Sequence, residues 1–535
     1  MDESSGHHGR RSLNARFSGL AAALLAGREL DLLAPLRFLA PGTLPAGPAP
    51  RVDRRAIAAG LAITNSAYGH PRAAELAAQL ADPATAVVVT GQQTGLFGGP
   101  LLALVKAAAA VRYAEALEAA GRPAVAIFWM ATEDHDYAEV ASAAFPGPDG
   151  IAELALGADP SPLLPVGMRT LGAGVEPLLA RLAELFPSER FALWRARLAA
   201  WWRPEARFGE AFARQLAATF GARAPLVLDA MLPELKQAER PHLARLVERR
   251  FELDAAFGAR EAEIARRAHV HQVAPQPGVS PLFLLAGLER RRIEWRGEAA
   301  FALRGVEGER PVEELLATIA GNPAVVSPGA LARPAIQDAV LGTTLQVMGP
   351  GEIAYLAQAA AVYPLLGGAA PASALRPQAL VFDGRSAEHL AELGVGLPEL
   401  LDDAAAAERR LGERAGGGFV EPAAAAIAAA LAELEAPARA LDPTLGKPFE
   451  KTRETVGRAL EAFAGKVAGA AARRDEQVAR RFAALRDLAA PGGAAQERTL
   501  CAAYFPGRYG DGFGAALLDQ LDLDPSRLSV VDPHR

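Results

Sequence analysis

Two apolar runs separated by a helical pattern stand near the start of the chain. Residues Ala86–Thr90 form a short β-branched run and Ala124–Trp129 form a second apolar run, while residues 100–120 between them have a helical pattern. Strands that are apolar at every position, with a helix between them, are typical of a parallel β-α-β unit whose sheet is covered on both faces. The pattern therefore predicts a Rossmann-like beginning of the fold.

The same alternation of strand and helix returns later in the chain. A third candidate strand, Pro225–Asp229, precedes a long helical stretch at residues 235–269, and strand patterns dominate residues 282–295. A strand followed by a helix recurs at residues 345–363. We therefore predict an α/β fold, in which a Rossmann-like parallel-sheet core carries connecting insertions.

From about residue 386 the composition shifts to Ala, Glu, Arg and Leu. Apolar residues recur there at alternating spacings of four and three, in three stretches: Leu400, Ala404, Ala407 and Leu411; Ile427, Leu431, Leu434, Ala438 and Leu441; and Val456, Leu460, Phe463, Val467 and Ala470. This is the a/d pattern of a coiled coil rather than the wider stripe of a globular helix. As one helix, Pro448–Leu488 would extend roughly 60 Å at about 1.5 Å per residue. With turns predicted at Gly416–Gly418 and Asp442–Pro443, the arm is expected to form an antiparallel hairpin, a homodimer interface or both.

These patterns divide the chain into consecutive regions. They are the first part of the core, an inserted connecting region, the last part of the core, the coiled-coil arm, and a C-terminal segment that packs on the core: residues 1–160, 161–325, 326–385, 386–490 and 491–535.

Composition narrows the class of protein. The 535 residues contain 56 Lys and Arg against 62 Asp and Glu, which gives a formal net charge of −6. This balance argues against a nucleic-acid partner or an anionic membrane surface, both of which favour a basic face. The single cysteine excludes an intrachain disulfide framework and Cys-x-x-Cys motifs, and it fits the reducing cytoplasm.

The N-terminal region needs a separate interpretation. Arg10–Arg11 followed by the apolar residues 19–27 could be mistaken for an export signal, but charged residues follow at once and no cleavage site stands out. An amphipathic first helix is the favoured interpretation. Since charges interrupt the most apolar windows, no membrane span is predicted.

A glycine-rich segment, Thr90–Pro100, lies between the first strand and its helix. Ligands of open α/β sheets bind at the carboxyl ends of the strands, and the N–H groups of the following helix favour an anion. Lys106 is close enough along the helix to reach the same anion. The segment matches neither a Walker loop nor the dinucleotide spacing, and a glycine-rich tight turn is the alternative. The candidate binding residues are Thr90, Gly91, Gln92, Gln93, Gly95, Gly98, Gly99 and Lys106.

An acidic segment follows the second strand. Three carboxylates surround one imidazole in Glu133, Asp134, His135 and Asp136. They would repel one another unless a substrate amine, a metal ion or a protonated histidine lay among them. The functional interpretation assigns one carboxylate as a general base, another as a ligand of substrate ammonium or hydroxyl groups, and His135 as a proton carrier. The alternative is a solvated loop with a helix-capping Asp.

A third strand-to-helix junction lies at Met348–Ala354, which formally fits the pattern G-x-G-x-x-A. No Asp or Glu occurs between Glu352 and Asp383, so the acidic ribose partner of a dinucleotide site is missing. Gly349 and Gly351 are nevertheless candidate binding residues. Glu352 is expected either to complement the helix dipole or to bind a substrate group.

Two arginines near this junction are candidate carboxylate clamps. Arg333 precedes the polar residues Gln337 and Asp338, which are also binding candidates, and Arg376 follows downstream. A guanidinium binds a carboxylate in a bidentate manner, but an internal salt bridge is an equal alternative. Cys501 lies between apolar neighbours and is expected to be a buried structural residue rather than a catalytic thiol.

The segments that carry these candidates resemble the cysteine-adding enzymes of bacillithiol biosynthesis. The resemblance extends over nearly the full length, and the matching segments follow the family's order: Thr90–Pro100, Phe128–Val140, Ser327–Asp338, Gly349–Tyr355 and Gln496–Arg498. It implies a Rossmann-like core related in shape to class I synthetase domains, with connecting insertions and a dimerising coiled coil. It also implies the last step of bacillithiol assembly, which joins the carboxyl group of L-cysteine to the amine of glucosaminyl-malate.

The resemblance also bears on the site and its cofactors. It adds Trp129 and Tyr355 to the candidate binding residues, and it suggests ATP and an adenylate intermediate. This chain has no evident second lysine motif to accompany the glycine loop. The Pro-Arg-rich segment of the family is here Pro371–Gln378, which makes the role of Arg376 less secure. No metal is predicted.

Two other functions stay open from the sequence. An NAD(P)-dependent oxidoreductase would use Gly349–Ala354, and its cofactor would protect it from thermal unfolding. A coiled-coil interaction scaffold with a vestigial nucleotide-binding core would bind a protein partner and no small molecule.

Overall fold

The computed structural model describes residues 17–274, 276–412, 420–474 and 476–535. They form two compact units. The first contains the described residues up to Phe145, together with Glu153–Val381 and Glu497–Arg535. The second contains Pro146–Ala152 and Phe382–Gln496.

The strands in chain order are β1 Arg37–Phe38, β2 Ala86–Gln92, β3 Ala124–Met130, β4 Ser142–Gly147, β5 Gly150–Ala155, β6 Leu226–Asp229, β7 Val279–Ala286, β8 Glu289–Arg296, β9 Ala300–Leu303, β10 Arg310–Pro311, β11 Val326–Pro328, β12 Thr343–Met348, β13 Ala372–Leu375, β14 Gln378–Val381 and β15 Leu528–Val531.

The helices are α1 Gly19–Leu25, α2 Arg55–Ala67, α3 Ala73–Ala81, α4 Leu102–Ala119, α5 Tyr137–Val140, α6 Val175–Leu185, α7 Glu189–Trp201, α8 Phe208–Phe220, α9 Pro233–Glu248, α10 Arg250–Arg266, α11 Val312–Gly321, α12 Arg333–Leu341, α13 Pro350–Ala359, α14 Tyr363–Leu366, α15 Gly384–Glu392, α16 Leu397–Asp402, α17 Ala404–Gly412, α18 Val420–Leu441, α19 Gly446–Arg474, α20 Glu476–Ala489, α21 Gln496–Thr499, α22 Tyr504–Tyr509 and α23 Phe513–Gln520.

A six-stranded sheet forms the centre of the first unit. Its strand order is β1-β13-β12-β2-β3-β6, and every neighbouring pair is parallel. From β2 the chain proceeds to β3 and β6 on one side, whereas β12 and β13 lie on the other side. The winding direction therefore reverses between β2 and β12, which is where open α/β sheets bind ligands. The predicted Rossmann-like α/β core is confirmed.

The burial of the strands explains why their sequence pattern predicted them correctly. Every residue of β3 is buried, as are the first five residues of β2. Strands that are covered on both faces carry consecutive apolar residues rather than an alternating pattern, as the first four residues of β2 and all of β3 do. The helical stretch at residues 235–269 consists of two helices, α9 and α10, which meet at Arg249.

An antiparallel sheet of five strands belongs to the same unit. Its order is β10-β9-β8-β7-β11, and all its pairs are antiparallel. After β11 the chain enters α12 and then β12 of the parallel sheet. This connection brings the antiparallel sheet to the carboxyl ends of the central parallel strands. The sequence predicted strands here but not how they pair.

The second unit is mainly helical. Helix α18 ends at Leu441, the side chain of Asp442 caps a short turn, and α19 begins at Gly446, as the predicted break at Asp442–Pro443 requires. The stretch predicted as one long helix is helical on both sides of residue 475, as α19 and α20, and residue 475 itself lies outside the described residues. The predicted turn at Gly416–Gly418 also lies outside them. Several side chains of the predicted coiled-coil seam are exposed: Ile427, Leu434, Leu441 and Phe463.

Near the start of the chain, α1 coincides with the expected first helix, while Arg10–Arg11 lie outside the described residues. No helix in the described part of the chain combines the length and the apolar character needed to cross a membrane.

Candidate active site

A cavity of about 750 Å³ opens at the carboxyl ends of β2, β3 and β12. Its volume falls within the range of roughly 300–1,000 Å³ that is typical of small-molecule sites. The predicted site residues on its wall are Gly91, Gln92, Gln93, Lys106, Trp129, Glu133, Asp134, His135, Arg333, Gly349, Gly351, Glu352, Tyr355 and Arg376. The predicted residues that do not line it are Thr90, Gly95, Gly98, Gly99, Asp136, Gln337 and Asp338.

The ammonium group of Lys106 joins two strand-end loops. This buried side chain donates hydrogen bonds to the carbonyl oxygen of Gly91, to Oε1 of Gln92 at 3.1 Å and to Oε2 of Glu352 at 2.6 Å. Burial lowers the pKa of Lys106, because the charged form loses its hydration. The same Glu352 oxygen accepts the N–H of Gly349 at 2.6 Å. Lys106 is therefore an internal clamp whose charge is balanced by Glu352.

Glu352 lies in the first turn of α13. Burial opposes its ionisation, but the adjacent Lys106 ammonium outweighs this effect and holds the pKa of the Glu352 carboxyl below its usual value. Its position complements the positive end of the helix dipole, as one of the two expectations required. Its side chain also lines the cavity, so binding of a substrate group stays a prediction.

The last three glycines of the loop after β2 pack against protein rather than facing the cavity. Gly98 has a φ of +92°, and a Cβ atom there would lie 2.4 Å from Nε2 of Gln215. That amide nitrogen donates to the carbonyl oxygen of Phe97 at 2.7 Å. A Cβ atom on Gly95 would lie 2.7 Å from the Cα atom of Gly99. These glycines therefore allow the loop to fold tightly against α8.

Cys501 supports the same loop. Its Sγ atom lies 3.3 Å from the carbonyl oxygen of Phe97, and its side chain is buried. Burial raises the pKa of the Cys501 thiol to about 12, so it is a neutral thiol at physiological pH.

Substitution of Gly98 by Ala is expected to destabilise the protein by about 3 kcal/mol, because a strained backbone conformation adds to the contact with Gln215. Gly121→Ala is the matched control, since Gly121 has a φ of +75° but open space around its Cα atom. It should cost about 1 kcal/mol. Urea unfolding measures both values, and equal losses would contradict the packing role of Gly98.

We call residues 133–136, which follow β3, the acidic loop. Asp134 connects this loop to neighbouring residues on two sides. Its Oδ2 atom accepts a hydrogen bond from Nε2 of Gln93 at 2.8 Å, which joins the loops after β2 and β3. Its Oδ1 atom accepts the N–H of His135 at 2.8 Å and lies 3.4 Å from Nη1 of Arg290. Asp134 is thus a fixed carboxylate on the cavity wall, with 41% of its side chain exposed.

Arg290 of β8 is the cation behind this loop. Its guanidinium donates to Oγ of Ser327 at 2.9 Å and to the carbonyl oxygen of Pro328 at 3.2 Å, and it lies 3.7 Å from the ring centre of Phe283. The residue is 6% exposed, and burial lowers its pKa. Arg290 therefore ties the antiparallel sheet to the catalytic candidates at the parallel strand ends.

His135 and Asp136 differ in their surroundings. Burial, together with the Arg290 guanidinium, lowers the pKa of His135, which makes the imidazole neutral at pH 7. Its Nδ1 atom lies 3.3 Å from Nη1 of Arg290. Asp136 is exposed, and its side chain accepts the N–H of Glu139 at 3.3 Å as the cap of α5. Asp136 thus has the helix-capping position that was the alternative to a catalytic role.

Glu133 lies on the cavity wall beside a buried lysine. Its Oε1 atom is 2.5 Å from Nζ of Lys236, and the same nitrogen is 2.5 Å from Oε2 of Glu239. The side chains of Glu133, Lys236 and Glu239 are 10%, 2% and 0% exposed. We call these three residues the carboxylate–lysine triad.

Arg333 and Arg376 have different electrostatic partners. Arg376 forms an ion pair with Glu497 at 2.6 Å, and both side chains are almost completely buried. Arg333 donates to Oε1 of Gln337 and to the hydroxyl of Tyr355, each at 2.9 Å. Among the residues that the structure describes, no carboxylate forms an ion pair with Arg333. The charge of Arg376 is therefore balanced by an ion pair within the protein, whereas Arg333 faces the cavity without such a pair among the described residues.

Asp338 belongs to a buried polar network away from the cavity. Its Oδ2 atom accepts hydrogen bonds from the hydroxyl of Tyr363 at 2.5 Å and from Nε2 of Gln346, while Oδ1 accepts from Gln337 at 3.2 Å. Burial raises the pKa of Asp338 to about 6. Asp338 and Gln337 are thus placed behind the wall that Arg333 occupies.

Sequence reasoning missed several residues that line the cavity or support its wall. Arg290 and Arg292 occupy alternate positions of β8, so both point to the same side of the antiparallel sheet. Lys236 and Glu239 are three residues apart on α9 and share one face of that helix. These periodicities were visible, but nothing in the local sequence showed that these faces meet the acidic loop.

Some polar groups on the cavity wall have no partner within the described protein. Over the described residues, the indole Nε1 of Trp129 and Oε1 of Gln93 are buried and have no hydrogen-bond partner. Arg292 has a weak contact with Gln276 at 3.5 Å and no ion-pair partner in this part of the chain. Buried polar groups in folded proteins are normally bonded, so these donors and acceptors are suited to a bound molecule. No cluster of three or more His, Cys, Asp or Glu side chains with the arrangement of a metal site occurs in the described ranges.

Comparisons with known proteins cover both parts of the chain. Residues 46–377 match the model of the N-terminal Rossmann-like domain described as "Bacillithiol biosynthesis BshC", and residues 379–531 match the C-terminal coiled-coil domain of the same description. A relative from Solibacter usitatus is 32% identical over 83% of this chain and 84% of its own length. Relatives from Salinibacter ruber (30% identical; 88% and 86%) and Thermus thermophilus (31%; 79% and 84%) are also similar. All three are named "Putative cysteine ligase BshC".

Proposed function

Because the chain belongs to the BshC family of bacillithiol biosynthesis, we propose that it joins the carboxyl group of L-cysteine to the amine of glucosaminyl-malate. The observation that carries this proposal is the charge distribution of the cavity. Asp134 and Glu133 provide carboxylates on its wall, while Arg292 and Arg333 provide guanidinium groups without an internal carboxylate partner in the described ranges. The two substrates together carry an ammonium group and several carboxylates, which these side chains complement.

The positions of the charged groups support a division of the cavity. Asp134 is held by Gln93 and Arg290, so its carboxylate is oriented before a ligand arrives. We assign it to the ammonium group of cysteine. Arg292 projects from the antiparallel sheet and is assigned to a carboxylate of the malate moiety.

The cavity also offers contacts of the kind that a triphosphate takes. Arg333 keeps an unbalanced charge, and Gly351 at the start of α13 has open space beside its Cα atom. Lys106 is not available, since Glu352 and Gln92 occupy its ammonium group. We propose that Arg333 and Gly351 hold ATP, which would activate the cysteine carboxyl group for amide formation.

The helical arm supports a further part of the proposal. Leu434, Leu441 and Phe463 belong to the predicted seam and are 58%, 84% and 54% exposed. Apolar seam residues of a coiled coil are normally covered by another helix. We propose that a second copy of the chain covers them in a homodimer.

Asp134→Asn is expected to raise the KM for cysteine by about 10²-fold, because the amide cannot form a charge-assisted hydrogen bond with an ammonium group. The measurement is the rate of bacillithiol formation from cysteine, glucosaminyl-malate and ATP, followed by mass spectrometry. Asp149→Asn is the control, since Asp149 is exposed in the turn between β4 and β5. A KM equal to that of the control would contradict the assignment of Asp134.

The proposed step is tested independently in cells. A strain that lacks this protein should accumulate glucosaminyl-malate and contain no bacillithiol, and the intact gene should restore bacillithiol. Mass spectrometry of the cellular thiols gives the answer. Normal bacillithiol in the deletion strain would overturn the proposed function.

A further inference from the structure

The carboxylate–lysine triad connects the cavity wall to the protein interior. Glu133 lines the cavity, whereas Lys236 and Glu239 lie behind it on α9. The lysine nitrogen is 2.5 Å from one oxygen of each glutamate. Neighbouring residues on the buried side of α9 are apolar, including Leu235 and Leu243. A lysine with two carboxylates is thus held in a site that disfavours unbalanced charge.

The free oxygens of the two glutamates differ. Oε2 of Glu133 has no hydrogen-bond partner among the described residues, and the side chain keeps 10% exposure at the cavity. Oε1 of Glu239 is buried and also without a partner in the described part of the chain. The Glu133 end of the triad can therefore contact a substrate, whereas the Glu239 end is closed to solvent.

We propose that Glu133 accepts the proton of the attacking substrate amine and that Lys236 and Glu239 are positioning residues that orient Glu133 and set the charge behind it. This inference rests on the proposed function. The amine nitrogen forms a bond to the carbonyl carbon of cysteine, whose carboxyl group has been activated by a nucleoside triphosphate. The leaving group departs with the electron pair of its bond, and the nitrogen proton moves to Oε2 of Glu133.

Asp134 is less suited to this role. Both of its oxygens already accept hydrogen bonds, from Gln93 on one side and from His135 on the other, with Arg290 nearby. Both oxygens of Asp134 therefore have partners within the protein, whereas Oε2 of Glu133 is open to the N–H of an approaching amine.

The triad is expected to make catalysis depend on pH. Burial raises the pKa of Glu239 to about 7, although Lys236 acts in the opposite direction. The charges that act on Glu239 in the described structure are Lys236 and Glu133, and Arg290 also interacts with Glu133. Below pH 7 Glu239 is protonated and the triad is neutral when Glu133 is ionised. Above pH 7 the triad carries one negative charge, which attracts the amine proton.

The test compares kcat for bacillithiol formation between about pH 6 and pH 8. The wild-type kcat should rise through this range as Glu239 ionises. In Glu239→Gln the rise should disappear, and kcat at the alkaline end should fall about tenfold with a smaller change in KM. Glu239→Asp keeps a carboxylate and should restore the rise. Glu115→Gln removes a carboxylate that pairs with Arg223 away from the cavity, and it should match the wild type.

Each outcome has a definite meaning. A flat wild-type profile overturns the inference even if the Gln variant does not fold. A folded Glu239→Gln variant that retains the wild-type profile overturns it as well, while leaving the proposed function intact. A wild-type protein that forms no bacillithiol from the two substrates and ATP overturns the proposed function and this inference together. Circular dichroism establishes that each variant is folded.

Discussion

Replacement of Arg290 by Met is expected to reduce kcat/KM for bacillithiol formation by about 10²–10³-fold. The guanidinium balances Asp134, contacts His135 and holds Ser327 of β11, so its loss leaves a carboxylate without its cation and releases the antiparallel sheet from the acidic loop. The Arg290 end of this ion pair is buried, whereas 41% of the Asp134 side chain is exposed, so the loss changes the orientation of Asp134 more than it strands a buried charge. We expect the substitution to lower activity more than stability, since Asp134 lies on the cavity wall.

Two further variants make the Arg290 prediction specific. Arg291→Met changes the next residue of the same strand, whose guanidinium pairs with Glu289 instead, and it should retain activity within about twofold. Arg290→Lys keeps the charge but not the planar fork, so it should restore only part of the rate. Similar activities for the Arg290→Met and Arg291→Met variants would show that Arg290 does not organise the site.

The largest effect on stability is expected from Glu497→Gln, which should lower the free energy of unfolding by about 3–5 kcal/mol. Glu497 and Arg376 are 3% and 2% exposed, so the variant would leave a buried guanidinium without its counter-charge. The second oxygen of Glu497 also accepts the N–H of Ala379 at 3.0 Å, at the start of β14. Urea unfolding monitored by circular dichroism measures the change.

Asp511→Asn is the matched control for this prediction. Asp511 lies in the same C-terminal segment and pairs with Arg197 at 2.7 Å, but the two side chains are 73% and 46% exposed. An exposed pair contributes at most about 1 kcal/mol. Comparable losses in the two variants would contradict the importance of burial at Arg376.

Much of the fold could be predicted because its signals are local. The first four residues of β2 and all of β3 are apolar, which is the pattern of a parallel sheet with both faces covered. In such a sheet the carboxyl ends of the strands share one edge, so the pattern implies that the loops at Gln93 and Asp134 face one crevice. The hydrogen bond between these two side chains shows that they do. Their roles in catalysis stay predictions.

The partners of the charged residues could not be predicted, because they depend on contacts between distant parts of the chain. Lys106 was expected to serve an anion, but it pairs with Glu352 from another strand-end loop. For Arg376 the sequence favoured a ligand clamp and a salt bridge equally, and the structure shows a salt bridge with Glu497. Arg290 had no motif around it. A guanidinium or ammonium group has the same local sequence signal whether its counter-ion comes from a substrate or from the protein.

The glycine loop shows a different limit. A glycine has the same local sequence signal whether a ligand or another part of the protein approaches its Cα atom closely. Gly91 and Gly351 line the cavity, whereas Gly98 contacts Gln215 of α8. The difference arises from which side of the backbone α8 and the C-terminal segment occupy, and these elements lie more than a hundred residues away.

The ion pair between Arg376 and Glu497 also affects the order of events during protein synthesis. Glu497 lies about 120 residues after Arg376, so at about 5–20 residues per second it leaves the ribosome roughly 10 s later. A nascent chain in this interval contains all the strands of the parallel sheet but lacks the counter-charge for its buried arginine. The cavity is therefore expected to mature only after Glu497 has left the ribosome, and chaperones would meet this part of the fold while Arg376 is still hydrated.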